Sequence, residues 1–279
     1  MNPSTTPLAA HLSPDRMELT ACFRDPETAA NRTEVIRLGQ PNPLPVVDYD
    51  TPARCYAIAN RRIPLEGATN FRDAGGYATT PGWLPWRSRY RSENLARLTR
   101  TDWQTLLDAG IKLVLDLRTD AEVEEMPSRT PSGIEVKRLP VSSRLQGFAD
   151  PTAALFAGKI PSIGYDDMVE MYLDTIETSR PQLDEAVHML SNYPEPMVVH
   201  CTAGKDRTGI AIALWQLQNG VSMQQVVEDY RLSALLRTTP RFLELRHRID
   251  GAGVVPRLVH SYFSAPVPAL IAALGKLTT

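Results

Sequence analysis

The chain has 279 residues, 43% of them hydrophobic and 22% charged, with a formal net charge of −2. That composition is ordinary for a soluble globular protein, the length allows one large domain or two small ones, and a core of that size needs no disulfide or metal to fold. The near-neutral charge excludes a global attraction to nucleic acid or to a membrane surface, so any anion must be met by a local site.

Three cysteines, Cys22, Cys55 and Cys201, are too few and too widely spaced for a disulfide framework. They fit a reducing compartment. The N-terminus lacks a basic stretch followed by an apolar core, and no apolar run reaches membrane-spanning length. A cytoplasmic location without integral membrane association is the expectation.

Taken in chain order, the first 50 residues hold Pro3, Pro7, Pro14, Pro26, Pro41, Pro43 and Pro45. Proline removes backbone donors and breaks helices. Residues 1–45 are therefore expected to be an irregular arm packed on the body, with room for a short hairpin, and residues 46–279 a single catalytic domain. "RRIPLEGATNFRDAGGY" reads as a strand end followed by a turn at Gly75 and Gly76. "TDWQTLLDAG" predicts a helix opened by a Thr101–Gln104 capping box and stopped at Gly110. "IKLVLDL" is of strand length and apolar enough to be central. "TDAEVEEM" starts a helix with acids in its first turn, and "VKRLPV" reads as another strand. "YDDMVEMYLDTIE" and "QLDEAVHML" have helical spacing of apolar residues. "PMVVHC" is a short strand, "RTGIAIALWQLQNG" a buried helix stopping at Gly220, and "SMQQVVEDYRLSALL" a helix opened by Ser222 and Gln225. Two or three further helices close the chain. Strands alternating with helices predict an α/β fold with a central, mainly parallel sheet flanked by helices, and ligands in such folds bind beyond the carboxyl ends of the strands.

The stretch "VVHCTAGKDRTG" sits at such an end, running strand, tight loop, helix. Five residues separate Cys201 from Arg207. A loop that short can turn its N–H groups inward as an anion nest, and the helix N-terminus adds partial positive charge at the same point. Gly204 permits backbone angles a side chain would resist. Helix N-termini and neighbouring cations favour thiolate over thiol, and the thiolate is the nucleophile, so Cys201 is the candidate to attack phosphorus. Arg207 offers a planar fork for two phosphate oxygens. Thr208 is placed to donate its hydroxyl to the sulfur. The leaving oxygen needs a proton. Asp206 is the nearest acid, with Asp166, Asp167 and Asp174 as upstream alternatives. The substrate is expected to touch Thr202, Ala203, Gly204, Lys205, Thr208 and Gly209, with Lys205 adding a cation at the mouth.

Residues 200–209 resemble the phosphate-binding loop of the cysteine-dependent protein tyrosine phosphatase superfamily, and the GKDRTG form is similar to bacterial and fungal tyrosine phosphatases with added lipid phosphatase activity. "NFRDAGG", "RYRSENLARLT", "GIKLVLDLRTDAE" and "DYRLS" resemble further blocks of that family, over roughly residues 62–240. The resemblance implies a tyrosine-phosphatase-like fold, a cysteinyl-phosphate intermediate, no cofactor and no metal. It also implies Cys201 as nucleophile, Arg207 as phosphate clamp and Asp206 as in-loop acid, the WPD acid loop of the eukaryotic enzymes being missing from this chain. The N-terminal arm and the ending "VHSYFSAPVPALIAALGKLTT" depart from the family pattern. The implied substrate is phosphotyrosine protein, phosphoinositide or both. A small phosphorylated metabolite is the alternative, and a phospholigand-binding module without turnover is the reading from another class.

Several residues have plainer readings. His200 is expected to shape the loop rather than hold a metal. Asn70, Arg72 and Asp73 either pin the glycine turn or act at the site, and Asp116 and Arg118 present the same choice. Trp83, Trp86 and Tyr90 are rim aromatics or packing. Cys22 and Cys55 are expected to be inert. Asp120, Glu122, Glu124 and Glu125 are expected to form a solvated helix face.

Overall fold

The computed structural model describes residues 9–12, 18–24, 31–37, 61–79, 82–144, 157, 162–251, 254 and 259–278. Two compact units divide the chain, residues 1–63 and 64–279. In the first unit, β1 (Ala9–Leu12), β2 (Glu18–Arg24) and β3 (Asn31–Arg37) pair antiparallel in that order. The stretch expected to be irregular thus contains a three-stranded meander. Pro3, Pro7, Pro14, Pro26, Pro41, Pro43, Pro45 and Cys55 lie outside the described residues.

The second unit holds five strands: β4 (Arg72–Asp73), β5 (Arg89–Ser92), β6 (Leu113–Asp116), β7 (Glu135–Arg138) and β8 (Met197–His200). Their order is β4-β5-β8-β6-β7, with only β4 antiparallel to its neighbour. This is the mainly parallel sheet expected of alternating strand and helix signals. β8 lies at its centre, with His200 level with Ser92 of β5 and with Asp116 of β6. Every residue of β5, β6 and β8 is buried, as strands covered on both faces require.

Helix α1 (Arg100–Asp108) starts two residues before the expected box: Thr99 caps it and Asp102, not Gln104, closes the capping box. Asp102 wins because it also accepts the backbone N–H groups of Glu66 and Gly67, both at 2.8 Å. Gln104 instead donates to Asp108, one turn on. α2 (Asp120–Glu125) is capped by Thr119 with Glu122 reaching back. α3 (Tyr165–Asn192) joins the two expected helical segments across a break at Ser179, just before Pro181. Pro181 has no N–H to give to the turn before it, so the helical hydrogen-bond ladder is interrupted at this point. α4 (Asp206–Gln218) begins inside the loop motif and is buried from Arg207 to Gln216. Its expected stop holds, with Gly220 at φ 83°. α5 (Met223–Ser233) is capped by Ser222 as read from the sequence. A π-helical turn leads to α6 (Thr239–Gly251), then α7 (His260–Phe263) and α8 (Val267–Thr278). α8 packs on α3 and α4. Among the described residues no helix is long and apolar enough to cross a membrane.

Leu115, fully buried in β6, contrasts with exposed Glu124 on α2. Leu115→Ala is expected to cost about 2–5 kcal/mol in urea denaturation, and Glu124→Ala less than about 0.5 kcal/mol.

Candidate active site

Cys201 follows the last residue of β8 and is a free thiol with 2% exposure. Arg207 is the second residue of α4. Between them the loop presents its carbonyls outward, and each from 201 to 204 meets a donor. His200 Nδ1 donates to Cys201 O at 3.1 Å, and Asn94 N–H donates to Thr202 O at 3.0 Å. Asn70 Nδ2 donates to Ala203 O at 3.1 Å, and Arg91 Nη2 to Gly204 O at 2.8 Å. The N–H groups of Thr202, Ala203, Gly204 and Lys205 donate to nothing among the described residues. Gly204 has φ 67°, and a Cβ there would stand 2.2 Å from Ser92 O, so the loop rests directly on the end of β5.

The supports resolve the open alternatives. Asn70 touches the loop, and its own N–H donates to Glu93 at 2.6 Å. Arg72 acts one step behind: it donates to Asn70 O and Oδ1, to Ser233 and to Asp229. Asp229 pairs with both Arg72 and Arg91 in a fully buried cluster. Burial, with Arg91 alongside, lowers the Arg72 guanidinium to about 10 despite Asp229. Asp73 stays with the turn, accepting from the N–H groups of Gly75 and Arg87. Arg118 pairs with Asp116 at 2.7 Å and donates to Asn94 Oδ1, steadying the residue that supports Thr202. Tyr90 is packing: it is 1% exposed and stacks on Phe71. Trp86 lies against Gly76, while Trp83 is exposed.

Glu122 is not part of a solvated face. Its carboxylate takes Arg207 Nη1 and Nη2, both at 2.6 Å, and the Thr202 hydroxyl. Arg207 Nη1 also donates to Val141 O, and Nη2 to Thr202 Oγ1. The terminal edge of the fork expected to grip phosphate is thus held by Glu122, and Nε is the donor without a partner among the described residues. Burial alone would raise Glu122, but the Arg207 hydrogen bonds and charge, with Thr202 and Thr119, hold it at about 2. Burial alone would lower Arg207; Glu122, then the charges of Cys201 and Asp206, push it above its ordinary value. The sequence clue was available: Glu122 is the third residue of a capped helix beyond the carboxyl end of β6, so its side chain points back toward the loop. His200 is fully buried, and burial, only partly opposed by Asp116, lowers it to about 4.

Other expectations fare differently. Lys205 is not at the mouth; it is 1% exposed, donates to Tyr262 O and sits 5.3 Å over the Tyr262 ring. Thr208 Oγ1 is buried without a hydrogen-bond partner among the described residues, so the bond to sulfur is not made. Gly209 lies against the Tyr230 ring, where a Cβ would come within 3.0 Å. Asp206 is partly exposed and accepts from the Tyr172 hydroxyl. Of the upstream acids, Asp167 caps α3, Asp174 accepts from Ser143 and Arg144, and Asp166 is exposed. Among the described residues no three His, Cys, Asp or Glu side chains converge as a metal site.

A thiol and an arginine about a carbonyl-braced loop, at the carboxyl edge of a parallel sheet, define a cysteine-based phosphatase site. The sequence matches the tyrosine phosphatase family over residues 63–278. It is 32% identical over 216 residues to the triple specificity protein phosphatase PtpB of Mycobacterium tuberculosis, covering 69% of this chain and 74% of that protein. It is 31% identical over 152 residues to a tyrosine-protein phosphatase of Nostoc commune, covering 54% and 50%. Among solved structures, P. aeruginosa TpbA aligns over 69% of this chain and 89% of its own, at 13% identity and a TM-score of 0.29. The chain belongs to the tyrosine phosphatase family, and is a hydrolase of that class.

Two acid-side effects follow from these charges. A folded-state value of about 2 for Glu122, against 4.5, adds stability present above pH 4.5 and lost as pH falls toward 2. A value of about 4 for His200, against 6.5, makes stability fall as pH drops from 6.5 to 4. Thermal melts across pH are expected to show both slopes; His200→Asn, which keeps a donor for Cys201 O, flattens the upper one and Glu122→Gln the lower. Glu122→Gln is also expected to lower kcat/KM roughly 100-fold by loosening Arg207.

Proposed function

We propose that the protein hydrolyses phosphoric monoesters through a cysteinyl-phosphate intermediate, with phosphotyrosine side chains as its preferred substrate class. The observation that carries this reading is the outward bonding of the loop carbonyls from Cys201 to Gly204, which leaves a ring of N–H donors beside the thiol. Such a ring suits the oxygens of a phosphoryl group, most of all as charge builds in the transition state. Cys201 Sγ forms a bond to phosphorus as the P–O bond to the leaving group breaks. Asp206 gives its proton to the leaving oxygen. Water then attacks the phosphocysteine, Asp206 takes its proton, and inorganic phosphate departs. Arg207, oriented by Glu122, contributes positive charge and its Nε–H.

The burial of Lys205 under Tyr262 favours phosphotyrosine over phosphoinositide, because the cation that a crowded inositol headgroup would need is turned away from solvent. The name of the Nostoc commune relative, a tyrosine-protein phosphatase, points the same way. We place the catalytic unit after the N-terminal sheet and the protein in a reducing, cytoplasmic setting, where a free Cys201 persists.

Phosphate release is expected to persist in EDTA, to be blocked by vanadate, and to vanish in Cys201→Ser; turnover by that variant would overturn the mechanism. Across a panel, tyrosine phosphopeptides are expected to outpace inositides, sugar phosphates and nucleotides. Asp206→Asn is expected to slow phenyl phosphate far more than p-nitrophenyl phosphate in kcat/KM, because only the poorer leaving group depends on a proton. Equal losses would assign the proton to another acid.

A further inference from the structure

Two buried tyrosines stand behind the loop. Tyr172 comes from α3 and Tyr230 from α5, and each is 1% exposed. The Tyr172 hydroxyl donates to Asp206 Oδ1 at 2.6 Å and lies 2.6 Å from the Tyr230 hydroxyl. A phenol has one proton to give. Tyr172 gives its proton to the carboxylate, so Tyr230 must donate to the Tyr172 oxygen. The chain therefore runs in one direction, Tyr230 to Tyr172 to Asp206. Burial, then the Asp206 charge, raises both phenols well above their ordinary range, so they remain donors. Gly209 makes the arrangement fit, since even a Cβ there would press on the Tyr230 ring.

We propose that Tyr172, backed by Tyr230, is a positioning residue that aims the carboxyl of Asp206 for proton transfer, an inference that rests on Asp206 being the proton donor. Oδ1 is claimed by Tyr172, with Lys205 Nζ 3.4 Å away. Oδ2 takes no hydrogen bond among the described residues, and the Asp206 side chain is 24% exposed. An acid proton on Oδ1 would face the donors already there, so it resides on Oδ2. As the sulfur–phosphorus bond forms and the P–O bond breaks, the leaving oxygen takes that proton. The charge left on the carboxylate meets a hydrogen bond already in place, and bonds to an ionised acceptor are stronger than bonds to a neutral one. The tyrosine chain thereby favours the products of proton transfer. In the second step the proton of the attacking water returns to Oδ2. A tyrosine pair that served only to pack α3 against α5 would have no such dependence on the leaving group.

The test compares kcat/KM for phenyl phosphate and p-nitrophenyl phosphate in the full chain, with thermal melts to verify folding. Tyr172→Phe, which removes one oxygen, is expected to lose about 10-fold more on phenyl phosphate than on p-nitrophenyl phosphate. Tyr230→Phe is expected to shift the same ratio in the same direction by less, and it carries the test if Tyr172→Phe does not fold. On an Asp206→Asn background, Tyr172→Phe is expected to add no further ester-dependent loss. Equal losses on the two esters, or none, overturn the inference. If Asp206→Asn still separates the two esters in that case, the proton-donor reading stands and only the tyrosine role falls. If Asp206→Asn fails to separate them, it is the proton-donor reading that falls.

Discussion

The site depends on where four carbonyl oxygens point. A peptide unit carries its N–H and C=O on opposite sides, so a loop can turn its N–H groups inward only if its oxygens find donors outside. Here the donors are the His200 ring, next to the loop, and three groups from far upstream in the chain: the Asn94 backbone, the Asn70 amide and the Arg91 guanidinium. Gly204 then lets the loop descend onto Ser92 without a side chain between them. Much of the buried polarity around the loop follows from this single requirement. Arg72, Asp229, Ser233 and Arg118 do not touch the loop; they hold the residues that do.

A second layer concerns charge. Burying Arg207 beside a thiol and an aspartate requires a partner for its terminal nitrogens, and Glu122 supplies both oxygens. The pairing costs desolvation on both sides and is retained because removing either partner would strand a buried charge. It also fixes the guanidinium plane, leaving the Nε edge as the part that can answer a ligand. Lys205 and Asp206, adjacent in sequence, stay within 3.4 Å of one another while each takes a further partner, Lys205 bonding to Tyr262 and Asp206 to Tyr172.

The loop itself was legible because its chemistry is local: strand, cysteine, glycine, arginine and helix fall within a dozen residues. The alternation of strands and helices likewise yielded the parallel sheet. What escaped was set by tertiary contact. Glu122 looked like one acid among four on a short helix, since helical periodicity cannot say which acid faces a buried guanidinium. Tyr172 and Tyr230 occupied apolar positions on long helices and passed for core. The Thr101–Gln104 box was the one read from the sequence, and the demand of Glu66 and Gly67 for an acceptor favours Thr99 with Asp102 instead. The N-terminal prolines suggested irregularity, yet three strands form in that stretch, none of them containing a proline.

The brace around the loop has a consequence for how the molecule comes into being. Its donors belong to β5, β8 and the segments flanking β4 and β5, so no fragment containing only residues 197–218 has the means to hold the loop's shape. Closing such long-range contacts comes late, because the chain must first be brought together at an entropic cost. A nascent or partly assembled chain carries every residue of the motif and yet has no cradle. The phosphate-binding shape is therefore a property of the finished sheet, acquired in one step with the fold.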